Sequence, residues 1–175
     1  MLFNEPIHNW NEWGAIFQST KAFTPLAKEI FRREGLAFTE LSNLTPGTNA
    51  VFRTGDYVVK IFAPRESGMD SRLDYSNESA VCEALTRWRI STPRLIAHGT
   101  IQDTHLFYYI ITEYCPGELA GPWLESASPS QSEGFIRQLK ELLQTLHRPA
   151  RGLIPPMDLL KRAIENPRLE RLPVS

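Results

Sequence analysis

Two side chains of opposite charge, Lys60 and Glu78, form a candidate pair in which the lysine could bind a phosphate group and the glutamate could hold the lysine in place. Lys60 lies in the run YVVKIF at 57–62, which has the β-branched and aromatic composition of a strand. Because side chains alternate along a strand, Lys60 faces the opposite side from Val59 and Ile61. Phosphoryl transfer requires the charge of a triphosphate to be held and neutralised, and a lysine in a cleft supplies a cation for that purpose. The alternative is a strand lysine that contacts only solvent.

Glu78 is the predicted anionic partner of Lys60. It opens a stripe at helical spacing that continues through Val81 and Leu85. A carboxylate one turn before these core contacts can reach a lysine on the adjacent strand, and a lysine needs a fixed anion to hold its long side chain in place. Glu83 is the competing acid, but it lies off the stripe and is expected to be solvated. A surface role for Glu78 is the alternative.

The turn at 44–50 is a second place where phosphate oxygens could bind. Its sequence is LTPGTNA, and it joins the first two predicted strands. Thr48 and Asn49, together with the backbone amides near Gly47, offer hydrogen-bond donors. The turn has a single glycine, and many hairpins have a similar composition, so this motif is weak on its own.

The elements that position these residues follow one another in an uncommon order. Periodic apolar residues predict helices within 10–36, where Gly35 ends the second helix, and again at 77–89, 130–147 and 158–164. Ser130 and Glu133 have the spacing of a capping box for the helix at 130–147. Strands are predicted at 37–45, 50–54, 57–62, 95–101 and 106–114, and a loop at 63–74. The sequence therefore predicts an α+β fold in which one helix is inserted between the third and fourth strands of a five-stranded antiparallel sheet.

From about residue 38 to residue 147, the chain resembles the aminoglycoside phosphotransferase and choline kinase superfamily. Four motifs occur in the order of that family: VVKIF, NESAVCEAL, ITEYCPGE and LKELLQTLH. Each motif is loose, whereas the ordered set is much more specific. The resemblance implies a kinase-like small lobe with its hinge at 38–117, preceded by a helical extension at 1–37 and followed by a partial helical large lobe at 118–175.

By this resemblance the protein is a phosphotransferase that uses ATP or GTP to phosphorylate a small-molecule hydroxyl. Lys60 would hold the α- and β-phosphates, and Glu78 would orient Lys60. The turn at 44–50 lies where kinases cover the phosphates. The base would hydrogen-bond to backbone groups of the hinge, at Glu113, Tyr114 and Cys115. A plain edge strand would have the same sequence pattern as this hinge.

The sequence departs from the family where catalysis takes place. Family members carry an H-G-D-x-x-x-x-N loop with the catalytic Asp and a metal-binding Asn, and a later Asp binds Mg²⁺. This loop motif does not occur in the 175 residues. After Gly117 the one aspartate is Asp158, and Ala163 stands where the Asn would be needed. We therefore predict no catalytic and no metal-binding residue in this chain, and a requirement for Mg²⁺ only when the missing large lobe is supplied. We expect a truncated chain that is inactive alone, or else a naturally short relative that binds without catalysing.

Three classes of function remain open. The first, which we favour, is a fragment of a small-molecule kinase, whose acceptor would bind only a full-length form. The second is a nucleotide-binding, pseudokinase-like regulatory module, and the third is an interaction domain that shares only the topology. The apolar stripe of the helix at 130–147 is expected to be covered by the large lobe, by a partner chain or by self-association.

Composition and charge narrow the partners. Lys and Arg number 19 and Asp and Glu number 20, for a net charge of −1, which argues against nucleic-acid and anionic-membrane surfaces. No apolar run approaches the roughly 18 residues that span a bilayer, and the first residues lack the features of a secretory signal. Cys82 and Cys115 match no CxxC spacing, and the four histidines have no metal-ligand spacing. We expect a cytoplasmic protein with free thiols.

Overall fold

A five-stranded antiparallel sheet lies at the centre of the computed structural model, which describes residues 1–45, 47–88 and 90–146. The spatial order of the strands is β1-β2-β3-β5-β4, and every neighbouring pair is antiparallel. The strands are β1 (Ser42–Asn43), β2 (Ala50–Thr54), β3 (Tyr57–Ile61), β4 (Leu95–Gln102) and β5 (Leu106–Glu113). The predicted α+β fold is confirmed.

Five helices accompany the sheet in the described part of the chain. They are α1 (Trp10–Ile16), α2 (Thr20–Arg33), α3 (Arg72–Arg87), α4 (Ala120–Ser126) and α5 (Pro129–Leu146). Helix α3 is inserted between β3 and β4, as predicted, and a short 3₁₀ turn at Arg65–Ser67 precedes it. The fold thus has the strand–helix–strand order that brings a helix next to the lysine-bearing strand.

One face of the sheet is covered by α1 and α2. Phe23 of α2 packs against Phe52 of β2 and Phe107 of β5, with ring centroids 5.5 and 6.4 Å apart. The other fully buried core residues on this side include Phe3, Ile7, Trp13, Leu26, Ile30, Phe31, Val59 and Ile61. The N-terminal helices and the sheet therefore share one hydrophobic core.

Helix α2 ends at the predicted glycine. Gly35 has a φ of +66°, and the Leu36 amide donates to the Phe31 carbonyl across 2.9 Å while the Gly35 amide donates to Arg32 across 3.3 Å. This is the Schellman arrangement, in which a left-handed residue lets two amides satisfy the last carbonyls of the helix. A glycine adopts that backbone conformation without steric cost, so the predicted end of the helix is confirmed.

Two predicted boundaries are wrong, and one helix was not predicted. The first strand occupies Ser42–Asn43 rather than 37–45, because β2 ends at Thr54 and leaves the earlier residues without a partner strand. Instead, the Thr39 amide donates to Thr54 Oγ1 across 3.1 Å. Helix α3 begins at Arg72 rather than at 77, since the last residues of the predicted loop at 63–74 already belong to its first turn. Helix α4 lies in a stretch with no predicted helix.

The start of α5 also differs from the predicted capping box. Gln131 Oε1 accepts from the Ser128 amide across 2.9 Å, and Ser128 Oγ accepts from the Gln131 amide across 3.4 Å. The reciprocal pair is therefore Ser128 with Gln131, and not Ser130 with Glu133. Proline 129 occupies the first helical position, where its missing N–H costs nothing. The predicted helix at 158–164 lies outside the described residues, as do the predicted end residues 89 and 147.

Candidate functional site

The Lys60 ammonium donates a hydrogen bond to Oε2 of Glu78. Strand β3 places Lys60 on the face of the sheet opposite the main core, while its neighbours Val59 and Ile61 are fully buried in that core. Helix α3 places Glu78 over the same face. The two side chains are 25% and 39% exposed, so the pair is held but remains accessible to a ligand. The contact predicted from the sequence is present.

An open cleft of about 480 Å³ surrounds this pair. Its other lining residues are Asn49, Phe62, Asp74, Asn77 and Val81. The Lys60 ammonium lies 4.7 Å from the centroid of the Phe62 ring, a cation–π distance. The cleft therefore offers one fixed cation between a turn, a strand and a helix, with an aromatic ring beneath it.

Of the predicted phosphate-binding residues in the turn before β2, Asn49 lines the cleft, whereas Gly47 and Thr48 do not. Asn49 lines the cleft, and its Oδ1 accepts from the Ala63 amide across 3.1 Å. Thr48 is exposed, and its carbonyl accepts from the buried Trp13 indole N–H across 2.9 Å. Gly47 is exposed, and a side chain at that position would meet open space. Asn49 and Lys60 are thus brought together, whereas Gly47 and Thr48 lie outside the residues that line the cleft.

The predicted hinge residues lie at the end of β5 and directly after it. The Glu113 amide donates to the Arg94 carbonyl across 3.0 Å, and the Tyr114 amide donates to the Asp56 carbonyl across 2.7 Å. Among the described residues no group accepts from the Cys115 amide. Among the described residues, the amides of Glu113 and Tyr114 are therefore already bonded, and the Cys115 amide is the one at 113–115 that could donate to a ligand.

The side chains of the hinge are also engaged. Glu113 accepts from the Arg94 amide across 2.9 Å and lies 3.7 Å from the Arg94 guanidinium. The guanidinium of Arg53 lies 3.8 Å from the centroid of the Tyr114 ring. Cys115 is exposed. These contacts fix the path of the backbone between β5 and the residues that follow.

The opposite flank of α3 carries contacts that were missed at the sequence level. The hydroxyl of Tyr75 lies 2.9 Å from Nδ1 of His98, and Nε2 of His98 lies 3.1 Å from Oε1 of Glu83. Glu83 is exposed, as expected, and its carboxylate also lies within hydrogen-bonding distance of His98, which β4 brings close to it. No local sequence signal links residue 98 to residues 75 and 83, since the link depends on the order of the strands.

Two pKa values on α3 reflect the surroundings of the cleft. Partial burial raises the pKa of the Cys82 thiol; the Glu78 carboxylate raises it further, and Lys60 opposes the shift. Burial also raises the pKa of Tyr75, with further contributions from Tyr108 and Glu83. Both groups are therefore neutral at neutral pH, and Cys82 lies within the electrostatic influence of the Lys60–Glu78 pair.

A family model described as the phosphotransferase enzyme family matches residues 45–172, well over half of the chain. The chain belongs to the phosphotransferase enzyme family. The resemblance drawn from its motifs is confirmed, and the match includes Lys60, Glu78 and the hinge but begins after α1 and α2. Neither the curated proteins nor the solved structures give a match to this phosphotransferase-family chain.

Two further properties of this phosphotransferase-family chain concern metals and membranes. Within 1–45, 47–88 and 90–146, no group of three or more His, Cys, Asp or Glu side chains is arranged to hold a metal ion. No helix in these ranges is long and apolar enough to cross a bilayer.

Proposed function

We propose that this chain binds ATP or GTP in the cleft around Lys60, as the nucleotide-binding part of a small-molecule kinase. The observation that carries the proposal is the hydrogen bond from Lys60 to Glu78 at the wall of an open cleft. A lysine held in this way presents its remaining N–H donors in a fixed direction. The phosphate oxygens of a nucleotide are negatively charged and accept hydrogen bonds from such a cation.

The face of the sheet beside Lys60 suits the rest of the nucleotide. Val58 lies two residues before Lys60 on β3 and on the same face, and Val51 is the cross-strand partner of Lys60 on β2. Both valines are half-buried, which leaves apolar surface for a flat base. The Cys115 amide lies two residues after Glu113, the last residue of β5. Glu113 pairs with Tyr57 at the start of β3, so this amide lies near that end of the strand. From Tyr57 to Lys60 the strand rises about 10 Å, which leaves room for a ribose between base and phosphates.

A lysine substitution tests the nucleotide site. We expect ATP or GTP to bind the parent chain with a dissociation constant near the millimolar range, about −4 kcal/mol, because about half of the usual phosphate contacts are provided. Lys60→Ala should weaken binding about tenfold or more through loss of a charge-assisted hydrogen bond. Lys28→Ala is the matched control, since Lys28 is an exposed lysine on α2. Calorimetric titration measures all three proteins, and tight binding that ignores Lys60→Ala would place the site elsewhere.

We also propose that the 175 residues alone do not transfer phosphate. No H-G-D-x-x-x-x-N loop occurs among them, so the residues that would orient the acceptor and bind Mg²⁺ are not supplied. Positioning and electrostatic stabilisation provide nearly all of the catalysis in this reaction class. Purified chain incubated with ATP, Mg²⁺ and a panel of hydroxyl acceptors should therefore release no ADP above the background. Robust turnover would contradict the proposal, and it would do so without affecting the test of nucleotide binding.

A further inference from the structure

His98 holds helix α3 through both nitrogens of its ring. Nε2 lies 3.1 Å from a Glu83 carboxylate oxygen, and a carboxylate only accepts hydrogen bonds, so Nε2 carries a proton. In the neutral ring Nδ1 then accepts from the Tyr75 hydroxyl across 2.9 Å. One side chain of β4 therefore binds two residues of α3 that lie two turns apart, and Glu78 lies between them in the sequence.

The two acids of α3 reach opposite sides of the helix. Glu78 and Glu83 are five residues apart, which places them about 140° apart around the helix axis at 3.6 residues per turn. Glu78 binds Lys60 of β3, and Glu83 binds His98 of β4. These strands are separated by β5, so their backbones lie about 10 Å apart.

The sheet places both partners in one cross-strand row. Lys60 and His98 each pair with Ile110 of β5, one from either side. Ile110 is 2% exposed and points to the face that α3 covers. The helix therefore lies over Ile110 and is bound on one flank by Lys60 and on the other by His98. If the helix rolled towards either flank, one of the two acid contacts would lengthen.

Aromatic contacts connect the His98 side of α3 to Lys60. The Tyr75 ring packs against Tyr108 with centroids 4.8 Å apart, and it meets Phe62 edge-on with centroids 5.7 Å apart. Phe62 in turn lies beneath the Lys60 ammonium. A displacement of Tyr75 would therefore disturb the ring that supports the lysine.

Apolar burial alone anchors α3 weakly. Of its sixteen residues, Ser79 and Ala84 are the buried ones, and both are small. A fully buried large apolar side chain would anchor a helix strongly, and α3 has none. The directional bonds at its two flanks therefore have a large share in fixing how the helix lies on the sheet.

We propose that His98 is a positioning residue of the nucleotide site, which holds α3 in the orientation that keeps Glu78 on Lys60. The inference rests on the proposed nucleotide binding for its functional consequence, but the geometry that it predicts does not depend on a nucleotide. His98 acts through Tyr75 and Glu83 and touches neither Lys60 nor the phosphates.

Binding measurements test the consequence. His98→Ala removes both bonds and should weaken ATP binding roughly tenfold, as expected for two lost hydrogen bonds. His98→Gln should restore most of the affinity, because its carbonyl can accept from Tyr75 while its amide donates to Glu83. In a Glu78→Gln background the His98→Ala change should cost little further affinity, since His98 acts through Glu78. Full additivity of the two changes would overturn the proposal.

A second measurement needs no nucleotide. Cys82 is a half-buried thiol of α3, and Cys115→Ser removes the other, exposed thiol. In that background, Cys82 should react faster with a thiol reagent after His98→Ala or Glu83→Ala and return to the parent rate with His98→Gln. His8→Ala is the control, since it removes a similar pairing with Glu12 at the N-terminus. Unchanged Cys82 reactivity in both variants would refute the positioning role of His98. ATP affinity that is unaffected by Lys60→Ala would refute the nucleotide site instead.

Discussion

Gly99 on β4 is the cross-strand partner of Tyr109 on β5, and the tyrosine side chain fills the space that a side chain at 99 would need. Tyr109 is buried, and its hydroxyl donates to a carboxylate oxygen of Glu34 at the end of α2. Burial and this carboxylate raise the pKa of Tyr109, so the hydroxyl stays protonated and remains a donor. A glycine in a strand of this kind permits a close approach that ties the sheet to the N-terminal helices.

Gly99→Ala should destabilise the fold. An added Cβ would lie 2.7 Å from Tyr109 Oη and 3.0 Å from Cζ, which is closer than van der Waals contact. Because the ring is buried and bonded at its tip, it has little room to move, and overpacking of this kind costs about 1–3 kcal/mol. Chemical denaturation followed by fluorescence measures the free energy of unfolding. Gly134→Ala is the control, since a Cβ on α5 at that position meets nothing within 4 Å and should be neutral or stabilising.

At this scale the sequence predicts some contacts around the candidate site and misses others. Lys60 and Glu78 were predictable because each lies in a periodic pattern whose direction is known, and the inserted helix limits what the lysine can reach. His98 and Tyr75 were not predictable, since Tyr75 lies beside the predicted loop and His98 has no partner nearby in the sequence. Their contact depends on the strand order β3-β5-β4, which places His98 of β4 on the far side of β5 from Lys60.

At the scale of elements, the turn between β4 and β5 holds the N-terminal segment. Oδ2 of Asp103 accepts from the backbone amides of Leu2 and Phe3 across 2.8 and 2.7 Å. Thr104 Oγ1 donates to the Phe3 carbonyl across 3.0 Å. Partial burial alone would raise the pKa of Asp103, but backbone hydrogen bonds from Phe3, Leu2 and Thr104 together lower it. The ionised carboxylate therefore fastens Phe3 into the core.

The lowered pKa of Asp103 predicts an acid-sensitive contribution to stability. A group whose pKa is lower in the folded state stabilises the fold above its unfolded pKa, near 3.9, and this contribution is lost as the pH falls through the folded pKa. Asp103→Asn should cost about 1–2 kcal/mol at neutral pH, because two amides lose a charged acceptor. The loss should shrink below about pH 4. Urea denaturation of both proteins between neutral and acid pH measures this, and a difference that is constant with pH would contradict it.

Boundaries of elements were the least predictable part of the fold. Two serines, Ser128 and Ser130, each stand three residues before a glutamine or glutamate, so the sequence alone offers two capping boxes. Pro129 favours the box that begins at Ser128, because proline is well suited to the first helical position. The early start of α3 has a weaker marker, because Ser71 occupies the N-cap position but its side chain makes no capping hydrogen bond.

At the scale of the whole molecule, the hydrophobic core extends beyond the region that matches the family. The match begins at residue 45, whereas α1 and α2 contribute much of the main core. Helical periodicity predicted that these helices exist. It could not predict that they cover the sheet, because either sheet face could take an apolar helix and the sequence does not specify which strand residues face it.

A chain that begins at residue 38 should therefore fail to fold cooperatively. It would lack seven fully buried large side chains: Phe3, Ile7, Trp13, Phe23, Leu26, Ile30 and Phe31. Their burial contributes about 10–20 kcal/mol, at about 1.5–3 kcal/mol each. That contribution matches or exceeds the total stability of a typical domain, about 5–15 kcal/mol. The deletion would also leave Phe52, Phe107 and Ile61 facing solvent on the uncovered face of the sheet.

Circular dichroism and limited proteolysis of the 38–175 chain, beside the full chain, test this expectation. A single substitution provides a graded version: Phe23→Ala should cost about 3–5 kcal/mol because Phe23 contacts aromatic rings of both β2 and β5. Leu119→Ala is the control, since Leu119 is 67% exposed and should change stability by less than about 0.5 kcal/mol. A cooperative thermal transition of the 38–175 chain, with native-like sheet content, would show that the sheet and α3 fold without the helices that cover them.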